Sequence, residues 1–201
     1  MIKNMKYPSE IYAKKLLKFY KIPKEIVEHS YNVLKNASII SQQIMNSGNK
    51  MDYNLVKSGA LLHDIGRWIY NYENGYTDSM DYHEAETENL LTQLGYPEFG
   101  NMLKRHMLGG LTKAEAKQIG YPNPSSMMPN CIEIKIIAIS DKIRPEEKIE
   151  TLDDIINKYK TNEKLQKRYF NKCEGLREAT IKRVKKIWKE LVNLGMKSPP
   201  I

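Results

Sequence analysis

A chain of 201 residues with 41% hydrophobic and 28% charged residues has the length of one domain and apolar content for one real core, which excludes an intrinsically disordered polypeptide. No stretch approaches the roughly 18–20 consecutive apolar residues of a membrane span. The first twenty residues scatter Lys3, Lys6, Lys14, Lys15 and Lys18 among their apolar positions instead of building a signal-peptide core, so the chain reads as cytoplasmic. Cys131 and Cys173 stand alone, which excludes a disulfide framework and a CxxC zinc site. Any metal site must then draw on carboxylates and the four histidines. The net charge of +8 is uneven: residues 1–50 hold nine lysines against three glutamates, 51–98 two basic residues against nine acids, 99–141 five against three, and 142–201 sixteen against nine. An acidic middle between basic flanks suits steering of an anionic ligand better than a nucleic-acid coat.

Apolar residues recur at three and four along the chain, and alternating β-branched runs are scarce, which predicts an all-α fold. Residues 9–20 form a first helix with Ser9 as N-cap, and Ile22-Pro23 breaks it. A long helix spans about 24–46 and ends at Ser47-Gly48-Asn49. Asp52 caps the next, over about 53–65. Asp81 and Glu84 have capping-box spacing for a helix of about 82–94, with Gly95 as its C-terminal cap. A helix over about 97–108 stops at Gly109-Gly110. Thr112 with Glu115 repeats the capping-box spacing for 113–118. A proline loop covers 120–130, a buried helix covers 131–143, and 150–195 reads as two or three basic amphipathic helices. The organisation expected is a helical domain over 1–150 and a basic helical extension over 151–201 that packs on it, with a soft joint at Arg144–Glu150.

Each histidine falls on the apolar stripe of its expected helix. His29 aligns with Val33, Ala37, Ile40 and Ile44; His63 follows Val56, Gly59 and Ala60; His83 lies in line with Leu90, Leu91 and Leu94; His106 follows Phe99, Met102 and Leu103. Asp64 and Asp141 share such positions, in line with Ala60 and with Ile134, Ile137 and Ala138. A single such histidine is most simply a core residue satisfied by a neighbour. A buried carboxylate is different, because without a partner it is very costly. A divalent cation bound among these groups satisfies all of them at once.

The strings Glu28-His29-Ser30, Gly59-Ala60-Leu61-Leu62-His63-Asp64-Ile65-Gly66 and Ile139-Ser140-Asp141-Lys142 resemble the HD superfamily of metal-dependent phosphohydrolases, over about residues 24–145. The resemblance implies an all-α HD bundle, with His29, His63, Asp64 and Asp141 as ligands of a first metal. Superfamily members with two metals carry extra histidines between the His-Asp pair and the last Asp. That pattern implies Asp64 as a bridge, with His83 and His106 on the second metal, and makes Asp64, His83 and His106 the catalytic candidates. Bacterial HD proteins that split dinucleoside tetraphosphates symmetrically share the pattern. So does a small archaeal and bacterial HDIG family, which the segment from Arg105 through Gly109-Gly110-Leu111-Thr112 to Ala116 resembles most closely. In some archaea a similar domain is fused to a tRNA ribose methylase. Cyclic-di-GMP phosphodiesterases of the HD-GYP type match less well. Gly-Tyr-Pro occurs at 95–97 and 120–122, but the His-His-Glu string that precedes it in that family is missing here.

One or two divalent ions are the implied cofactors. An imidazole-rich site favours Fe, Mn, Ni, Co or Zn, with Mg²⁺ admitted. The implied reaction is cleavage of a phosphoester or phosphoanhydride by a metal-activated water, on a nucleotide or dinucleoside polyphosphate. Arg67, Lys104, Arg105, Lys142 and Arg144 are the candidate substrate contacts. Arg67 has a salt bridge to the acidic 73–88 segment as its equal alternative, and at most one of the neighbours Lys104 and Arg105 should face the site. Asp78, Asp81, Glu84, Glu86 and Glu88 read as a solvated helix start. Tyr121, Met127 and Met128 read as packing residues. Lys182, Lys185, Lys186 and Lys189 share one stripe opposite Ile181, Val184, Trp188 and Leu191. A solvated face of a packed helix is the favoured reading, with RNA binding and a structural metal as the alternative. A phosphate-containing small molecule is the partner expected, no membrane is involved, and the pattern admits a homo-oligomer.

Overall fold

The computed structural model describes residues 5–68, 82–143 and 150–197. Its secondary structure is helical throughout, and among the described residues there is no strand and no helix long and apolar enough to cross a membrane. Helix α1, Glu10–Phe19, begins where the Ser9 hydroxyl accepts from the Tyr12 amide. Pro23 precedes α2, Lys24–Asn46, where a missing amide hydrogen costs nothing. Asp52 caps α3, Tyr53–Leu62, by accepting from the Leu55 amide at 3.0 Å, and its carboxylate also takes the Tyr7 hydroxyl at 2.8 Å. After α4, His83–Gln93, and α5, Pro97–Leu103, a 3₁₀ stretch covers Lys104–Gly109. Complete capping boxes start α6, Lys113–Gln118, from Thr112 and α8, Leu152–Thr161, from Thr151. Between them lies α7, Ile132–Ser140. A turn at Glu163–Leu165 runs into a π-helical stretch, Gln166–Phe170, and α9, Leu176–Asn193, closes the chain.

Helix α7 is the axis of the molecule. Ile134, Ile136, Ile137, Ala138 and Ile139 are all buried, so it is apolar nearly all round, as a helix surrounded by others must be. Helices α2, α3, α9 and the 3₁₀ stretch pack around it. Helix α2 shows the opposite pattern, one stripe of Val33, Ala37, Ile40 and Ile44 turned inward. Helix α9 buries Val184, Ile187, Trp188 and Leu191 in the same core. Its end is tied to α2 and the turn after it: Asn49 Nδ2 donates to the Leu194 carbonyl at 2.8 Å, and the Lys197 amide donates to Gln43 Oε1 at 2.9 Å.

Two expected elements change. The helix predicted over 97–108 ends at Leu103, and the chain departs from helical geometry at Met107 and at Leu108, whose φ is +50°. Arg183 of α9 holds the chain just after the break. Its guanidinium holds the Gly110 carbonyl at 2.9 Å and both Glu115 oxygens, at 2.5 and 2.7 Å. Gly110 sits at φ +107°, where a Cβ would lie 2.6 Å from Pro129. The second change concerns α4. Its N-cap is Tyr82, at φ +69° and with no side-chain cap bond, and the Tyr82 hydroxyl donates to the Ile119 carbonyl at 2.7 Å. Asp81, the expected cap, lies outside the described residues.

Gly66 fixes how α4 approaches the end of α3. Its amide donates to Thr87 Oγ1 at 3.0 Å, and a Cβ there would lie 2.3 Å from the His83 carbonyl oxygen and 2.4 Å from the Thr87 nitrogen. Those are backbone atoms, so rotamer changes cannot relieve the clash. Gly66→Ala is expected to destabilise the fold by about 1–3 kcal/mol, the range for overpacked cores. Urea denaturation of metal-free protein measures this, and an unchanged midpoint would contradict it.

Candidate metal centre

Five segments deliver the ligand-type side chains, and most do so from helix ends. His63 is the C-cap of α3, Asp64 follows it, Asp141 is the C-cap of α7, and His83 opens α4. His106 lies in the 3₁₀ stretch. His29 alone comes from mid-helix, in α2. At a helix end the side chain clears the neighbouring turn and can face a partner helix end-on. The first-turn position of His83 matches the expectation; His63, His106 and Asp141 lie at or beyond helix ends instead of on continuous stripes.

The atoms converge. His29 Nε2 lies 3.1 Å from Asp141 Oδ1 and 3.3 Å from His63 Nε2. His63 Nε2 lies 3.5 Å from both Asp64 Oδ1 and Asp141 Oδ1. His83 Nε2 and His106 Nε2 reach Asp64 Oδ1 at 3.0 and 3.7 Å, and His29 Nε2 reaches its Oδ2 at 3.6 Å. Tautomers follow from the far side of two rings. His63 Nδ1 faces the Ala60 carbonyl at 2.9 Å and His106 Nδ1 faces that of Leu103 at 2.7 Å. A carbonyl only accepts, so each Nδ1 carries the hydrogen and each neutral Nε2 turns a lone pair inward. Lone pairs converging in a buried space repel one another unless a proton or a cation lies between them. Imidazole nitrogens and carboxylate oxygens at this spacing fit a divalent transition metal. Three overlapping groups have ligand atoms within 4.8 Å of one another: His29, His63 and Asp141; His63, Asp64 and His106; His83, Glu84 and His106.

Electrostatics divide the pair of adjacent rings. Burial works against a charge on His63, but Asp64 and Asp141 outweigh it, so its pKa rises. Burial and then the neighbouring His63 push His106 down to about 3. Burial opposes ionisation of Asp64, yet His63, His83 and Arg67 hold its carboxyl well below the usual range. Asp141 is held down in the same way, against burial, by Lys142, His29 and His63.

The candidate substrate contacts separate. Arg67 Nη1 bonds Asp64 Oδ2 at 3.0 Å and lines the cavity above the cluster; most of the acidic 73–88 segment, its alternative partner, lies outside the described residues. Lys142 pairs with Asp141 Oδ2 and also lines the cavity. Lys104 and Arg105 line no part of it. Lys104 is buried against Glu88, at 2.8 and 2.9 Å, and Arg105 binds Asn101 and the Met128 carbonyl. Both lie in the 3₁₀ stretch, and their partners hold them away from the cavity. Arg144 and the acids Asp78 and Asp81 lie outside the described residues. Tyr121 and Met127 are buried in packing roles, Tyr121 edge-on to Tyr82 at 5.6 Å.

Glu84 is a correction to the solvated helix start. It is 2% exposed, its Oε1 lies 3.4 Å from His83 Nε2, and its Oε2 has no hydrogen-bond partner among the described residues. Burial raises its pKa. The lining of the cavity, of about 240 Å³, holds further residues that the sequence reading passed over. Ile155, Lys158 and Tyr159 come from α8, Asn162 is its C-cap, and Leu165, Arg168 and Tyr169 come from the segment after it. Their signal was the one that marked the histidines: Lys158 and Asn162 are polar residues at helical spacing on the stripe of Ile155 and Tyr159.

The family model of the HD domain matches residues 26–146. An uncharacterized protein of Methanocaldococcus jannaschii is 32% identical over 84% of this chain and 89% of its own length. Two archaeal proteins named tRNA (cytidine(56)-2'-O)-methyltransferase are also similar. That of Picrophilus torridus is 29% identical over 96% of this chain, and that of Thermoplasma volcanium 28% identical over 76%. The chain spans 49% and 41% of those two relatives, about half their length or less. No solved structure matches.

The depressed His106 pKa has a consequence for metal-free protein. Its folded value is about 3 against 6.5 for an ordinary histidine, so below pH 6.5 the unfolded chain binds this proton and the folded chain does not. Its contribution to stability is therefore lost as the pH falls from 6.5 toward 3. Urea midpoints of chelator-treated protein should fall more steeply over pH 6.5–4.5 in the wild type than in His106→Asn, which keeps a donor for the Leu103 carbonyl. Equal slopes would count against this electrostatic arrangement.

Proposed function

The chain belongs to the HD superfamily of metal-dependent phosphohydrolases, and from that premise we propose that it hydrolyses a phosphoester or phosphoanhydride of a nucleotide or dinucleoside polyphosphate. The observation that carries this reading is the meeting of four imidazole Nε2 atoms and two Asp carboxylates at the base of a cavity with cationic and tyrosine walls. His29, His63, Asp64 and Asp141 would hold one divalent cation, and His83 and His106, sharing Asp64, a second. Cations bound there supply Lewis acidity for the phosphoryl group and lower the pKa of a water toward ~7.

The chain's own residues do the remainder. Asp64 and Asp141, ionised at neutral pH, offset the cationic charge. Arg67 and Lys142, already at the carboxylates, stand where phosphoryl oxygens approach, and Arg67 offers planar paired donors. The Tyr159 hydroxyl is buried without a hydrogen-bond partner among the described residues and borders the cavity, so it is ready to donate to an incoming oxygen. Ile155, Leu165 and Tyr169 give an apolar wall for a base or sugar, and Lys158 and Arg168 add positive charge for a further phosphate.

Metal analysis combined with a phosphate-release screen over nucleotides, dinucleoside polyphosphates and cyclic dinucleotides tests the reading. The wild type should carry a divalent metal and release phosphate or a nucleotide from at least one class. Asp64→Ala should remain helical by circular dichroism while losing metal and turnover. Wild type without metal affinity and without turnover would overturn it.

A second reading rests on the exposed lysine stripe of α9 and on the similarity to proteins named tRNA methyltransferases. We propose it as RNA binding by an accessory protein with a structural metal. Lys182, Lys185, Lys186 and Lys189 are all exposed, opposite the buried Val184, Trp188 and Leu191. Changing all four to Glu should then weaken tRNA binding and flatten its salt dependence by roughly four phosphate contacts. Equal weak binding by both proteins across a salt series would remove this reading.

A further inference from the structure

Glu84 is an acid in an enclosed position. It sits in the first turn of α4, where an acid usually faces solvent and the helix dipole. Here it is 2% exposed, and among the described residues it pairs with no lysine or arginine. Asp64 and Asp141, by contrast, already have Arg67 and Lys142. Glu84 Oε2 is buried with no hydrogen-bond partner among the described residues, and the residue borders the cavity. A buried carboxylate oxygen without a partner is costly and persists only where something else satisfies it. Its Oε1 lies 3.4 Å from His83 Nε2, and His83, Glu84 and His106 offer ligand atoms within 4.8 Å of one another. Two ligand atoms about 2.1 Å from one tetrahedral cation are about 3.4 Å apart. His83 and His106 are neutral donors when they bind metal, so a cation between them draws negative charge only from the shared Asp64 unless Glu84 contributes.

We propose that Glu84 is a ligand of the second cation position, completing with His83 and His106 a three-residue group beside the shared Asp64. The proposal rests on the reading of the cluster as a metal centre. The reach of the Glu84 carboxylate is set by the left-handed turn at Tyr82 and by the close contact of Gly66 with the start of α4.

The test is equilibrium dialysis of chelator-treated full-length protein against Mn²⁺, with metal analysis and thermal melting of metal-free and metal-loaded samples. Wild type should bind two ions per chain. Glu84→Gln, nearly isosteric, should bind one at the same Mn²⁺ concentration, with the weaker dissociation constant raised at least tenfold. Its metal-free melting temperature should equal or exceed that of wild type, because a neutral amide replaces a buried carboxylate with one oxygen unsatisfied, while its rise in melting temperature on adding Mn²⁺ should be smaller. Glu84→Asp, which keeps the charge with a shorter reach, should retain the second ion more weakly than wild type, and it serves if Glu84→Gln does not fold. Two ions bound by wild type and by Glu84→Gln with equal affinity would overturn the proposal and leave the metal centre standing. One ion in wild type would also overturn it. No ion in wild type would remove the metal centre itself.

Discussion

The carboxylate of Asp64 has more claims on it than a buried group ordinarily sustains. Arg67, His83, His63, His29 and His106 all place a nitrogen within 3.7 Å of its two oxygens. Around it stand rings whose Nε2 lone pairs point inward because carbonyls on the far side take the Nδ1 hydrogens. Such a cluster is stable only if positive charge sits inside it, and the rest of the site is arranged around that requirement. A proton can partly meet it, and the two carboxylates flanking His63 raise its pKa against the effect of burial. A divalent cation meets it more fully, which is the physical content of membership in this superfamily.

Holding that geometry costs backbone regularity at two places. Tyr82 opens α4 in the left-handed region, and Leu108 adopts φ +50° immediately after the turn that carries His106. Both are residue types that gain nothing from such a conformation, and both sit beside ligand candidates. The surroundings over-determine them. Tyr82 is anchored through its hydroxyl to Ile119, and the Leu108 turn is held through Arg183, Gly110 and Glu115 to α9. The C-terminal helix thus braces the loop behind His106 as well as closing the core. The segment before it supplies the far wall of the cavity through Lys158, Tyr159, Arg168 and Tyr169. The basic excess of residues 142–201 therefore has two destinations: Lys142, Lys158 and Arg168 at the cavity, and the exposed stripe of α9.

Much of the fold was legible along the chain because its signals are local. Ser9, Asp52 and Thr112 cap the helices their positions announce, since a cap bond spans only three residues. The ligand-type residues stood out because a polar group at a core position is anomalous within its own helix. Glu84 was misread for the complementary reason. An acid in a first turn is ordinary, and only the neighbours of α4 reveal that this one is enclosed. Lys104 and Arg105 neighbour His106 in the chain but not at the cavity, because Glu88, Asn101 and the Met128 carbonyl hold them elsewhere, and no local pattern pairs them with Glu88 or Met128.

The sequence by itself determined an all-α chain, the position of nearly every helix start, and the set of imidazoles and carboxylates that a core cannot leave unsatisfied. These follow from periodicity, capping and desolvation, which act within a few residues or on one side chain. Only the tertiary structure decided which atoms of that set meet, which tautomers they adopt, that Glu84 joins them, and that Arg67 and Lys142 face the cavity while Lys104 and Arg105 do not. Those outcomes depend on contacts between helices far apart in the chain, such as Gly66 against His83 and Arg183 against Gly110, and no local pattern encodes a distance across the core.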